Sequence, residues 1–200
     1  MCSSDLGVDA LILLGNNSVV YATGVSWPLG DAGLSYVERP VAVVLADDPY
    51  PHLFLPFREG AASESGLPAD HLHGPVYLEF DEGVDSFARV LEDLVPATAV
   101  VAVDELTGAM RRAQPRLFRS GQPVDAAQIV GAAKLIKTPD ELSCIRTACR
   151  ITDEAMVDVQ AALAPGIRQI ELSAGFMRRA FELGAMASMR SEERRVGKEC

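Results

Sequence analysis

Two histidines one residue apart, His71-Leu72-His73, are the pair in this chain best suited by type to hold a metal ion. On an extended strand they would project from one face, because side chains alternate, and imidazole nitrogen is a common ligand for zinc-type cations. The segment runs directly into Gly74-Pro75 and reads as a loop, and no nearby cysteine or second histidine pair completes a four-ligand set. No metal ligand is therefore expected in this chain, and no cofactor. Glu79, Asp81, Glu82 and Asp85 make an acidic cluster, but they lack the spacing and central glycine of a calcium loop. They read instead as a solvated helix start, where carboxylates favour the positive end of the macrodipole. No serine stands in a Gly-x-Ser-x-Gly setting and no Gly-Lys-Ser/Thr sequence is present, so neither serine hydrolysis nor P-loop chemistry is supported.

The stretch from Val25 to Arg39 is a long, glycine-containing connection that carries the only tryptophan, Trp27, and ends near Tyr36 and Arg39. Long loops in compact domains are often functional. Trp27, Tyr36 and Arg39 are the side chains of this segment suited to a functional contact. The alternative is that Trp27 packs at a domain or dimer interface and that Arg39 pairs with Glu38 or another acid.

The elements that would position these residues follow from periodicity. Asp9 to Leu14 is an apolar run of strand length, and Gly15-Asn16-Asn17-Ser18 reads as a turn before a second strand at Val19-Val20-Tyr21. Val41–Leu45 and His52–Leu55 flank the turn Asp47-Asp48-Pro49-Tyr50-Pro51 and predict a hairpin. Val76–Phe80 reads as a strand, Val84–Val95 has helical spacing, and Ala99–Val103 reads as a buried strand. This order implies an α/β domain with a mixed sheet. Beyond Lys137 the pattern changes. Thr138-Pro139-Asp140-Glu141 combines an N-cap, a first-position proline and a third-position glutamate, and the apolar spacing predicts an amphipathic helix of about 25 residues. A second helix is expected from about Gln169 to Leu183. Cys144 and Cys149 fall on different faces of the first of these helices and are expected as small buried thiols in a reducing, cytoplasmic setting.

The ends read differently from the rest. Arg190–Cys200 resembles the translation of a short-read library adapter, and Met1–Leu6 resembles its opposite-end counterpart. The expected organisation is thus a scar at 1–6, a first domain at 7–136, the first helices of a second domain at 137–189, and a scar at 190–200. The formal charge is −10 and 48% of residues are hydrophobic. That balance describes a soluble globular protein and argues against a nucleic-acid or anionic-membrane surface, which needs clustered lysine and arginine.

Three stretches resemble the creatinase, prolidase and aminopeptidase P group of the pita-bread metallopeptidases. The first is Asp9-Ala10-Leu11-Ile12 through Asn17 to Val20-Tyr21-Ala22-Thr23-Gly24. The second is Leu135-Ile136-Lys137-Thr138-Pro139-Asp140-Glu141-Leu142 with Ile145-Arg146 and Ala148, where Ala133 or Lys134 replaces the usual leading arginine. The third is Pro165-Gly166-Ile167-Arg168-Gln169-Ile170-Glu171-Leu172, in which Arg168-Gln169 replaces the commoner Thr-Glu. The resemblance implies a creatinase-like N-terminal domain with a ribonuclease-H-like mixed sheet, followed by two long helices of a truncated pita-bread domain. It implies a parent that is a homodimeric, metal-dependent Xaa-Pro peptidase-like hydrolase acting on a small peptide or small amide, with two divalent ions of manganese, cobalt or zinc. Their ligands would lie C-terminal to the present residues, so this chain would be inactive by itself and would contribute dimerisation and substrate selection. Trp27, Tyr36 and Arg39 would project towards the neighbouring subunit's active site. A creatinase-type amidinohydrolase, another enzyme on the scaffold, or a non-catalytic binding protein fits the same residues. Because the expected second domain is incomplete, Leu142, Ile145, Met156, Val159 and Leu163 should form an apolar stripe of which at least part stays exposed.

Overall fold

The computed structural model describes residues 7–25, 39–55 and 65–185. Trp27, Tyr36 and both terminal segments assigned to adapter lie outside the described residues. By internal contact the chain divides into two units, 1–135 and 136–200.

The first unit is built on a mixed sheet. Its strands are β1 (Ala10–Leu13), β2 (Val41–Leu45), β3 (His52–Phe54), β4 (Leu72–His73), β5 (Val101–Val103) and β6 (Val124–Asp125), and among the described residues they lie in the order β4-β3-β2-β1-β5-β6. The helices are α1 (Asn16–Thr23), α2 (Asp81–Leu94), the short α3 (Gly108–Arg112) and α4 (Gln114–Leu117), and α5 (Ala127–Leu135). The β2–β3 hairpin is antiparallel, with Val43 opposite His52 and Val41 opposite Phe54. β3 then pairs in parallel with β4, with Leu53 opposite Leu72 and Phe54 opposite His73. Period-2 alternation sends residues to two cores. Ala10, Ile12, Val41, Val43 and Phe54 join Val84, Phe87 and Leu91 of α2 on one side. Leu13, Ala42, Leu53 and Ala102 join Val19 and Val130 on the other. Each fully buried Leu, Ile or Phe contributes about 1.5–3 kcal/mol.

Two expected strands are absent. Residues 16–23 form α1, because Val19 and Thr23, four apart, are both buried and Gly24 supplies a left-handed cap at φ +70°. The Thr23 hydroxyl donates to the Val19 carbonyl and accepts from Val25 N–H, closing the helix end. Val76–Phe80 is a turn, with Phe80 N–H donating to the Tyr77 carbonyl. That turn lies so close to α2 that a Cβ on Gly83 would sit 2.0 Å from the Tyr77 oxygen. The acidic cluster does begin α2, where Asp81 and Glu82 occupy the first turn. Asp81 and Asp85 also pair with Arg112 and Arg116.

The second unit contains α6 (Pro139–Ala161) and α7 (Gln169–Glu182). Thr138 and Glu141 form the expected capping box, with Glu141 accepting from Thr138 N–H at 2.6 Å. Ala155 and Ala180 are its buried small residues, and Arg179 of α7 reaches Glu154 and Asp158 of α6. Leu142, Ile145, Met156 and Leu163 are exposed, Leu163 by 66%, while Val159 is half-buried. The apolar stripe is thus open at four of these five positions. Cys144 and Cys149 are free and exposed rather than buried, because most of α6 faces outwards. No helix among the described residues is long and apolar enough to cross a membrane.

Candidate metal centre

The hairpin and the parallel pairing of β4 bring together residues that are far apart in sequence. His52 and Phe54 share one face of β3, the register places His73 beside Phe54 on that face, and His71, the last residue of the short helical turn Ala69–His71 before β4, stacks on His52. Asp48 enters from the β2–β3 turn. Its Oδ1 accepts from Tyr50 N–H at 2.9 Å, a local bond that orients the carboxylate. Its Oδ2 lies 3.0 Å from His71 Nε2 and 3.6 Å from His52 Nε2. The two imidazoles stack at 4.3 Å and 12°. Their other nitrogens are also engaged: His71 Nδ1 lies 3.2 Å from Asp70 Oδ1, and His52 Nδ1 lies 3.0 Å from His73 Nε2. His73 in turn stacks on Phe54 at 4.4 Å, and Phe54 packs edge-on against Phe87. The cluster is therefore anchored to the core.

The electrostatics differ between the two rings. Burial, reinforced by the neighbouring His71, holds His52 below the ordinary histidine range. Burial also works against charge on His71, but hydrogen bonds to Asp48 and Asp70 outweigh it and raise its pKa. Asp48 is held low first by the Tyr50 N–H and then by His71, and Asp70 first by His71. One ring thus favours the neutral state and the other the charged state, over a carboxylate that stays ionised.

One donor atom each from Asp48, His52 and His71 lies within 4.8 Å of the others, a set that could hold a metal ion. This corrects the expectation that the chain contains no metal ligand. His71 was visible in the sequence, but its partners come from the opposite strand and turn rather than from its own neighbours, and residues 72–73 are a paired strand, not loop. His73 sits behind His52. With one carboxylate and two imidazoles, the set is too poor in oxygen ligands to bridge two ions, so the ion pair implied by the resemblance does not fit here.

Arg39 lies elsewhere. Its guanidinium is 3.0 Å from Glu79 and 2.7 Å from Glu105, with only 15% of the side chain exposed, and its Nε has no hydrogen-bond partner. Glu105 follows β5 and lines a cleft with Asp104, Arg111 and Asp125 at the ends of β5 and β6. Crevices at strand ends are common ligand positions in α/β sheets.

Residues 3–136 match the creatinase/prolidase N-terminal domain family. The chain belongs to that family. The creatinase-like domain accounts for the sheet and its helices, and similarity of fold extends into the helical unit. Prolidase from Pyrococcus furiosus aligns at 21% identity and a TM-score of 0.64, covering 92% of this chain and 48% of that one. An X-Pro aminopeptidase from Thermotoga maritima aligns at 16% identity and 0.69, covering 92% and 48%. An Xaa-Pro dipeptidase from Bacillus anthracis aligns at 19% and 0.64, covering 92% and 47%. The chain thus spans about half the length of these structures. No protein of curated description matches it.

Proposed function

We propose that this creatinase-like chain is the N-terminal part of a metal-dependent Xaa-Pro peptidase-like hydrolase, where it serves dimerisation and substrate selection and has no turnover of its own. The observation that carries this reading is the family match over residues 3–136, joined to a capped helix pair whose apolar stripe is open. A stripe of that kind is completed by further chain or by a partner. The catalytic ions and their ligands would come from the segment that follows, and the working form would be a cytoplasmic homodimer acting on small peptides. Trp27, Tyr36 and Arg39 are assigned to substrate contact. Arg39 lies near a strand-end cleft through its bond to Glu105, and its pairing with Glu79 and Glu105 is the acid pairing that the sequence offered as the alternative.

The test is expression of the parent reading frame beside the present chain, with assay of Xaa-Pro dipeptides and of creatine. Dipeptide cleavage by the parent alone is the expected result. Creatine hydrolysis would move the assignment to an amidinohydrolase, and turnover by the present chain would overturn the division of labour. In an active parent, Arg39→Ala should raise KM by about tenfold, equivalent to losing one charge-assisted contact.

A further inference from the structure

We propose that Asp48, His52 and His71 form a mononuclear site for a zinc-type divalent cation that ties the β2–β3 turn to β4. This inference is independent of the peptidase reading, because all three ligands lie within the creatinase-like domain. The ligands would be Asp48 Oδ2, His52 Nε2 and His71 Nε2, the atoms that already converge. Tetrahedral zinc with bonds of about 2.0–2.1 Å separates its ligand atoms by about 3.3 Å. The observed 3.0 and 3.6 Å separations from Asp48 Oδ2 bracket that value, whereas the His52 and His71 rings, stacked at 12°, must swing apart so that both ring planes meet at the ion.

The surroundings are those that a bound histidine requires. A metal on Nε2 leaves the proton on Nδ1, and that proton needs an acceptor. Asp70 Oδ1 stands there for His71, and His73 Nε2 for His52. The remaining oxygen of Asp48 is held by Tyr50 N–H, which leaves Oδ2 facing the ion. Two imidazoles and one carboxylate select zinc, cobalt or nickel over magnesium and calcium, which demand oxygen ligands. Water would complete the fourth position.

The test uses the whole chain with all four cysteines, Cys2, Cys144, Cys149 and Cys200, changed to serine, so that thiolates such as the exposed Cys144 and Cys149 cannot bind the probe. After chelator treatment it is titrated with Co²⁺ and followed by visible absorption, then with Zn²⁺ by calorimetry and thermal unfolding. One equivalent of cobalt with the intense visible bands of a four-coordinate ion is expected, together with a zinc-dependent rise in Tm that Mg²⁺ does not reproduce. His71→Ala and Asp48→Asn should each weaken binding at least about tenfold, and Asp70→Asn, which leaves every ligand in place, about tenfold through lost orientation. Circular dichroism and the chelator-treated Tm establish that each variant is folded. Should His52→Ala fail to fold, His71→Ala and Asp48→Asn alone decide. Sub-stoichiometric uptake, or uptake unchanged in folded His71→Ala and Asp48→Asn, overturns the site.

Discussion

The carboxylate of Asp104 reaches Gly15, its Oδ2 lying 3.1 Å from the glycine nitrogen, while Oδ1 accepts from Leu14 N–H at 2.8 Å. One side chain at the end of β5 thus satisfies two backbone donors where β1 gives way to α1. It joins the neighbouring strands at the point where the chain turns into its first helix.

Asp104→Ala removes both acceptors beside the fully buried Leu14. Unsatisfied donors in such a place cost about 1–3 kcal/mol. The expected outcome is a lowered urea midpoint with an unchanged slope, and a smaller loss in Asp104→Asn, whose single carbonyl oxygen keeps one of the two bonds. Equal stability of Asp104→Ala and wild type would mean that water replaces the carboxylate.

Gly83→Ala tests the turn that displaced an expected strand. A methyl group there meets the Tyr77 carbonyl at 2.0 Å, and the contact is with backbone, so no rotamer relieves it. Overpacking costs about 1–3 kcal/mol or more, and the stability obtained from urea unfolding should fall by the upper part of that range. A neutral substitution would show that the Tyr77–Phe80 turn lies further from α2.

These two positions also show where sequence reading works and where it stops. The β2–β3 hairpin, α2, β5 and the capped α6 were legible because their periodicity and turn chemistry agree with the final packing. The segment Val19-Val20-Tyr21 has strand propensity, yet it folds as helix because burial of Val19 and Thr23 together with the Gly24 cap outweighs local preference. The metal cluster was half legible. His71 and His73 stood out as a pair, but Asp48 lies 23 residues before His71 in sequence, and only the parallel β3–β4 register brings them together. Such a register leaves no local signature, since parallel strands are joined by long connections.

The capping box at α6 predicts a local effect. Thr138→Ala removes the acceptor for Glu141 N–H, 3.2 Å away. Loss of an N-cap costs about 1 kcal/mol. Hydrogen exchange should quicken at the first-turn amides of Glu141 and Leu142, with little change in β1 or β5. Uniform acceleration through the sheet strands would instead mean that the helical unit unfolds together with the first.

Cys144 and Cys149 are exposed and free. With Cys2 and Cys200 replaced by serine, both should react with a thiol reagent at close to the rate of the unfolded chain, without denaturant. Protection of either by more than about tenfold, against the free access expected of an exposed thiol, would show that α6 is covered in solution.

The open stripe that runs along α6 to Leu163 makes the isolated chain prone to associate. Met156 and Leu163 are 47% and 66% exposed, and contiguous apolar surface promotes association. Replacing both, as Met156→Lys with Leu163→Gln, removes apolar area from water without opening a cavity, so monomer stability should stay within about 0.5 kcal/mol. Light scattering at high concentration should fall in the double variant, and so should binding of an apolar dye. If the variant instead loses several degrees of Tm, the two side chains are buried in a self-association that stabilises the fold. The apparent Tm of the wild type would then rise with protein concentration, as linkage requires. A wild-type Tm independent of concentration, with scattering equal in the two proteins, would show that the stripe drives no association of the chain and would overturn this expectation.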